Sequence, residues 1–170
     1  MALQAQVNDF AGVGLQKTLG DGSFSHAGTT FTLDIGTLTS GAPGKQATLS
    51  VLNTASGVAD LLRGSFATDS VANPFSLIGF AAFDNLAAGA SMGGLHVFFA
   101  ASLNGNFESS IMLHSAGFNT RGFEGALADQ TLVLRGSVLA AVPEPGIYLM
   151  MFCGLMLIMV IGRRRASATY

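Results

Sequence analysis

The chain has 170 residues, a formal net charge of −2, 49% apolar and 11% charged residues, and a mean hydropathy of +0.50. So few charges exclude a Glu- and Lys-rich helical bundle and a charge-driven disordered region. Met1 to Pro145 carries five basic and ten acidic residues, and Arg163 to Arg165 add three positives, so the body is about −5 and the end +3; an acidic body without a basic stripe excludes nucleic acid as a partner.

From the amino end, "MALQAQVNDF" has no basic start and no long apolar stretch, while Leu3 to Gln6 looks like the end of an export leader, with Ala5 before a cut. The expectation is a sequence that begins late relative to such a leader. In "TTFTLDIGTL", Phe31, Leu33 and Ile35 alternate with Thr32 and Asp34, and in "QATLSVLN" Ala47, Leu49 and Val51 do the same. Alternation of period two predicts half-buried strands. Leu95, Val97 and Phe99 repeat the pattern, as do Phe107, Ser109, Ile111 and Leu113, and then Leu132 and Leu134, with weaker strands expected over 58–66 and 75–83. Between them, "SGAPGK" from Ser40, "NTASG" from Asn53, "AAGASMGG" from Ala87 and "NGN" from Asn104 read as turns, because Gly supplies the backbone angles that corners need. Seven or so short strands without helical periodicity predict an antiparallel sandwich.

Candidate chemistry in this body is sparse. His96 and His114 could adjoin on neighbouring strands and bind a metal with Asp84 or Glu108, but nothing in their spacing supports a third ligand, and His26, His96 and His114 read as surface histidines. "GDGSFSHAG" from Gly20 lacks the strand, turn and helix of a nucleophile elbow. "GDGS" and "NGN" fall short of a calcium loop and read as turns. Asp9, Asp21, Asp34, Asp60, Asp69, Asp84 and Asp129 are scattered over expected loops and outward faces without the pairing of a glycosidase. With 13 Phe and no Trp, most aromatics should be core, and no carbohydrate-stacking platform is evident. No catalytic residue, metal or cofactor is assigned.

The carboxyl end differs. Gly146 to Gly162 is seventeen residues without a formal charge, eight of them Leu, Ile, Val or Phe and four Met. As a helix it would span about 25 Å, the short end of what crosses a bilayer. Arg163, Arg164 and Arg165 would resist burial in hydrocarbon and stay cytoplasmic, which places Ala166 to Tyr170 inside and Val142 to Pro145, with everything before them, outside. Pro143 and Pro145 hold the segment ahead of the helix extended, and Glu144 marks the outer surface. Cys153, the single cysteine, lies inside the apolar run, can form no intrachain disulfide, and is a poor place for a reactive thiolate. Physically, the segment reads either as a simple anchor or as an accessible peptide at the lip of a short span, suited to a membrane-embedded processing enzyme.

Val142-Pro143-Glu144-Pro145, an uncharged helix over 146–162 and the basic end 163–170 together resemble the PEP-CTERM sorting signal of Gram-negative bacteria. That resemblance implies recognition by exosortase, cleavage, and release or attachment at the cell surface, commonly in exopolysaccharide and biofilm contexts. "FDNLAAGASMGGLHVFF" from Phe83, "GFEGALADQTLVLRGSVLAAVPEP" from Gly122, and "LDIGTL" followed by "ATLSVLNTASG" are similar to the choice-of-anchor group of immunoglobulin-like modules. The combined expectation is a mainly β chain: an antiparallel immunoglobulin-like sandwich over 1–141, then a sorting signal over 142–170 with a single transmembrane helix. Its function would be that of an exported, non-enzymatic surface or matrix protein, structural or adhesive, held at the inner membrane until exosortase processes it and in contact with exopolysaccharide or other glycans. A permanently anchored periplasmic binding module and an exported hydrolase are the alternatives.

Overall fold

The computed structural model describes residues 8–68, 71, 73–141 and 146–166, with side chains of the last segment described from Leu149 to Met159. The chain divides into two compact units, Met1–Ala140 and Ala141–Tyr170.

The first unit is a two-layered β-structure. One sheet has four strands in the order β1 (Val13–Gly20), β4 (Lys45–Asn53), β8 (Ser91–Phe99) and β6 (Phe75–Ile78). The other runs β2 (Ser23–Ala27), β3 (Thr30–Thr39), β11 (Gln130–Leu139), β9 (Gly105–Phe118), β5 (Leu61–Ala67) and β7 (Phe83–Leu86), with the short β10 (Glu124–Ala126) also on β9. Most connections pass from one sheet to the other, so residues distant in sequence become the two walls of one core.

Period-two alternation builds that core. Across the larger sheet, register aligns Phe31, Leu132 and Ile111 in one row and Leu33, Leu134 and Ser109 in the next. Across the smaller sheet, Leu49 faces Leu95, Ala47 faces Val97, and Leu15 lies beside Val51. All of these side chains are buried, several with no exposed surface at all; each large one contributes about 1.5 to 3 kcal/mol by leaving water. The facing Thr32 and Asp34, by contrast, turn outward. Phe99 reaches across from the smaller sheet and lies against the backbone of β11: a Cβ on Gly136 would sit 2.6 Å from its ring. Glycine there lets the tip of an aromatic ring approach the backbone of the opposite sheet.

Between β1 and β2 the chain changes sheets within the tripeptide Gly20-Asp21-Gly22. Both glycines have positive φ, +88° and +81°, a conformation that side chains with a Cβ rarely adopt. Asp21 fastens the corner to β4, its N–H donating to Gln46 O at 2.8 Å and its Oδ2 accepting from Gln46 N at 3.1 Å. The aspartate of "GDGS" is thus a backbone clamp.

Several expectations are corrected. The sandwich is not wholly antiparallel, because β3 and β11 pair in parallel; alternation reports which face a side chain takes and carries no information on strand direction. Ser91 to Gly94 of "AAGASMGG" belong to β8, and Gly105 and Asn106 of "NGN" begin β9. The glycines of "MGG" serve an irregularity in the β4–β8 register between Leu49 and Val51, where Gly94 has φ +84°. The expected strand over 75–83 is two strands, and β1, β2 and β10, whose outward residues break the alternation, carried no sequence expectation.

The second unit contains helix α1 (Ile147–Ala166). It runs on through Arg163, Arg164 and Arg165 rather than stopping at Gly162, since arginine is a good helix former and its charge limits membrane depth, not helicity. From Leu149 to Met159 every described side chain except Gly154 is exposed, Cys153 included. Among the described residues, no helix is long and apolar enough to cross a membrane.

Candidate functional site

The best-built polar site lies at one end of the sandwich, where Asn53 closes β4, Asp60 precedes β5 and Asn119 follows β9. Asn53 is fully buried. Its Oδ1 accepts from Gly12 N and Ala55 N, both at 3.2 Å, and its Nδ2 donates to Asp60 O at 3.1 Å and Leu86 O at 3.0 Å. Two donors and two acceptors are therefore all used, which is what allows an amide to be buried without penalty.

Asp60, 3% exposed, stands directly on this scaffold. Its N–H donates to Asp9 O at 2.9 Å, and its Oδ1 accepts from Asn119 Nδ2 at 3.0 Å and Asn8 Nδ2 at 3.3 Å. Asn119 cannot turn its amide round, because its Oδ1 already accepts from Arg121 N at 3.0 Å and Phe123 N at 3.2 Å. The buried carboxylate is held by amides alone; among the described residues it forms no ion pair, and neither does the exposed Arg121. Amide donors offset part of the cost of burying the charge.

A cavity of about 290 Å³ opens at this point, lined by Asn8, Phe10, Asp60, Asn119, Arg121 and Phe123. Phe10 and Phe123 meet edge to face at 5.9 Å and remain 44% and 50% exposed. One acidic, one basic, two amide and two accessible aromatic residues thus line one small space. Among the described residues no group of three His, Cys, Asp or Glu could hold a metal ion.

A second concavity, about 520 Å³, lies on the larger sheet and is lined by Arg63, Ser65, Asp84 and His114 among others. Strand register sets Ser65 opposite His114, and His114 Nδ1 lies 2.9 Å from Asp129 Oδ1. A serine relay also needs the hydroxyl bonded to the imidazole; Ser65 and His114 share no hydrogen bond, and the His114 and Asp129 side chains are half exposed. Beside them Arg63 pairs with Glu124 and lies 5.1 Å from the centre of the Phe118 ring. The Glu124 hydrogen bond raises the Arg63 pKa above its ordinary value.

Of the sequence-predicted sites, Val142, Pro143, Glu144 and Pro145 lie outside the described residues, as does Asp69. Arg163, Arg164 and Arg165 are in the last turns of α1. His96 and His114 do not adjoin: they are in β8 and β9, on different sheets, and alternate with the buried Leu95 and Leu113, so they face outward on opposite sides of the sandwich. His96 Nδ1 bonds instead with Gln46 at 3.1 Å and Thr48 at 3.2 Å, and Glu108 pairs with Arg135. Asp60 is not on a loop surface but buried, and Phe10 and Phe123 are exposed rather than core. Sequence reasoning missed the Asn8, Asn53 and Asn119 cluster, because Asn53 and Asn119, each followed by Thr, signal only turns, and Asn8 belongs to no pattern.

No family model matches the chain, and no curated protein matches it. Among solved structures, it is similar to the periplasmic chaperone SfaE, with a TM-score of 0.32 and 18% identity; the match covers 79% of this chain, which spans 61% of that one. A likeness of that degree carries no argument about fold or function.

Proposed function

We propose that this chain is an exported, non-enzymatic surface or matrix protein, an immunoglobulin-like sandwich delivered through a carboxyl-terminal sorting signal and processed there by exosortase. The observation that carries the reading is the three-part order of residues 142–165: a proline-flanked carboxylate, an uncharged apolar run, and three arginines. Helix α1 supports it, because Leu149 to Met159 are apolar on all sides and exposed; a helix apolar all round is stable in hydrocarbon and not in water. In this proposal the whole apolar run 146–162, longer than the part whose side chains are described, spans the inner membrane before processing, with Arg163, Arg164 and Arg165 cytoplasmic and the sandwich in the periplasm, and the mature body then works at the cell surface by structure or adhesion, in contact with exopolysaccharide or other glycans. The separation of the chain into a body and a terminal unit fits cargo followed by an address.

Pulse-chase with antibody to the sandwich, combined with mass spectrometry of the mature carboxyl terminus, tests this. In cells with active exosortase the mature form should end near Val142 to Gly146, and the double variant Pro143→Ala, Glu144→Ala should keep Tyr170. Mature wild-type protein that retains Tyr170 beside a working processing enzyme would overturn the proposal and leave the permanently anchored periplasmic binding module.

A further inference from the structure

We infer that the cavity beside Asp60 is a binding site for a neutral saccharide unit. The inference deepens the glycan contact proposed above and rests on that reading for its biological setting. Its volume of about 290 Å³ is at the small end of ligand cavities, about 300 to 1,000 Å³, which suits one sugar ring and not an extended peptide or nucleotide.

Charge selects the class. Among the described residues Asp60 has no cationic partner, so an anionic ligand would meet a buried carboxylate that cannot withdraw. Arg121 lines the same cavity and forms no ion pair among the described residues, and it opposes a cation just as directly. A neutral molecule rich in hydroxyls satisfies both: Asp60 accepts hydroxyl protons, and Arg121 donates to hydroxyl oxygens. Asp60 Oδ1 already carries two amide hydrogens, which leaves Oδ2 to accept. The remaining wall is apolar. A pyranose has polar edges and apolar C–H faces, and the half-exposed rings of Phe10 and Phe123 offer such a face a surface that water covers poorly. Asn53 and the Asn119 turn hold the polar groups in place before any ligand arrives, so little ordering accompanies binding.

Saturation-transfer NMR on the intact chain in detergent micelles, with the methyl glycosides of glucose, galactose and mannose as probes and glucuronate and glycerol as comparisons, reads this directly. At least one neutral glycoside should receive saturation on its ring protons, more strongly than glucuronate or glycerol. Asp60→Asn, which keeps an acceptor for both amides, should weaken its binding about 10- to 100-fold. Phe123→Ala should weaken it about 2- to 10-fold. Arg121→Ala and Phe123→Ala alter exposed side chains, so they test the site even if Asp60→Asn unfolds, with circular dichroism and thermal midpoint as the control. Absence of transfer to all three glycosides would overturn the inference. So would preferred binding of glucuronate, or neutral binding unchanged in Arg121→Ala and Phe123→Ala. The readout needs no processing enzyme, so a failure of the sorting proposal leaves it intact, and a failure here leaves the sorting assay intact.

Discussion

The middle of the sandwich and its Asp60 end are both buried, yet they are held by opposite means. In the middle, Leu33, Leu49, Leu95 and Leu134 fill space between two sheets and ask only for volume and dryness. At the end, Asn53, Asp60 and Asn119 have to meet particular donors and acceptors at hydrogen-bond distance. The first kind of burial tolerates exchange among apolar residues of similar size. The second fails when a single partner is missing, because the abandoned group stays buried. The difference teaches that the polar end tolerates fewer kinds of exchange and is the better place for recognition, since its groups are already fixed and partly dry.

Substitutions can break or sharpen that contrast. The largest effect is expected from the middle: Leu134→Ala, at a side chain with no exposed surface, should cost about 3 to 5 kcal/mol in urea unfolding through lost transfer energy and the cavity left behind. Next comes Asn53→Ala, which strands two backbone N–H groups and two carbonyls and should cost about 3 kcal/mol. If it costs less than about 1 kcal/mol, water replaces the amide and the polar end is no determinant of the fold. The smallest effect should come from Arg135→Ala. Its ion pair with Glu108 is more than half exposed on both sides, so the same measurement should change by about 0.5 kcal/mol or less. A larger loss there would mean that the outer face contributes to stability as the interior does.

How legible each region was follows from the same physics. Phe31, Leu33, Ile35, Ala47, Leu49, Val51, Leu95, Val97 and Phe99 could be placed inward because a strand alternates its faces whatever it pairs with. Pairing itself was not readable: nothing in "TTFTLDIGTL" or "QTLVLRGSVL" announces that these segments run parallel. His96 and His114 illustrate the limit. Each was correctly set opposite an inward leucine, but which sheet each strand joins depends on connections that cross the sandwich. Gly136 appeared only as a glycine in a strand until Phe99 was seen lying against it.

For the candidate sites the division is sharper. The apolar run and the arginines of the terminal segment are local in sequence, so composition alone describes them. The Asp60 pocket draws Asn8, Asp60 and Asn119 from three distant places, with separations of 52 and 59 residues between the bonded partners. By itself, then, the sequence determined which residues are apolar, how they alternate, and where charge stops and starts along the chain, because those properties act over neighbouring residues. Only the tertiary structure decided which strands adjoin, that Asp60 is buried, and that two phenylalanines flank it. Those facts depend on how distant segments share one volume, and no local pattern encodes that.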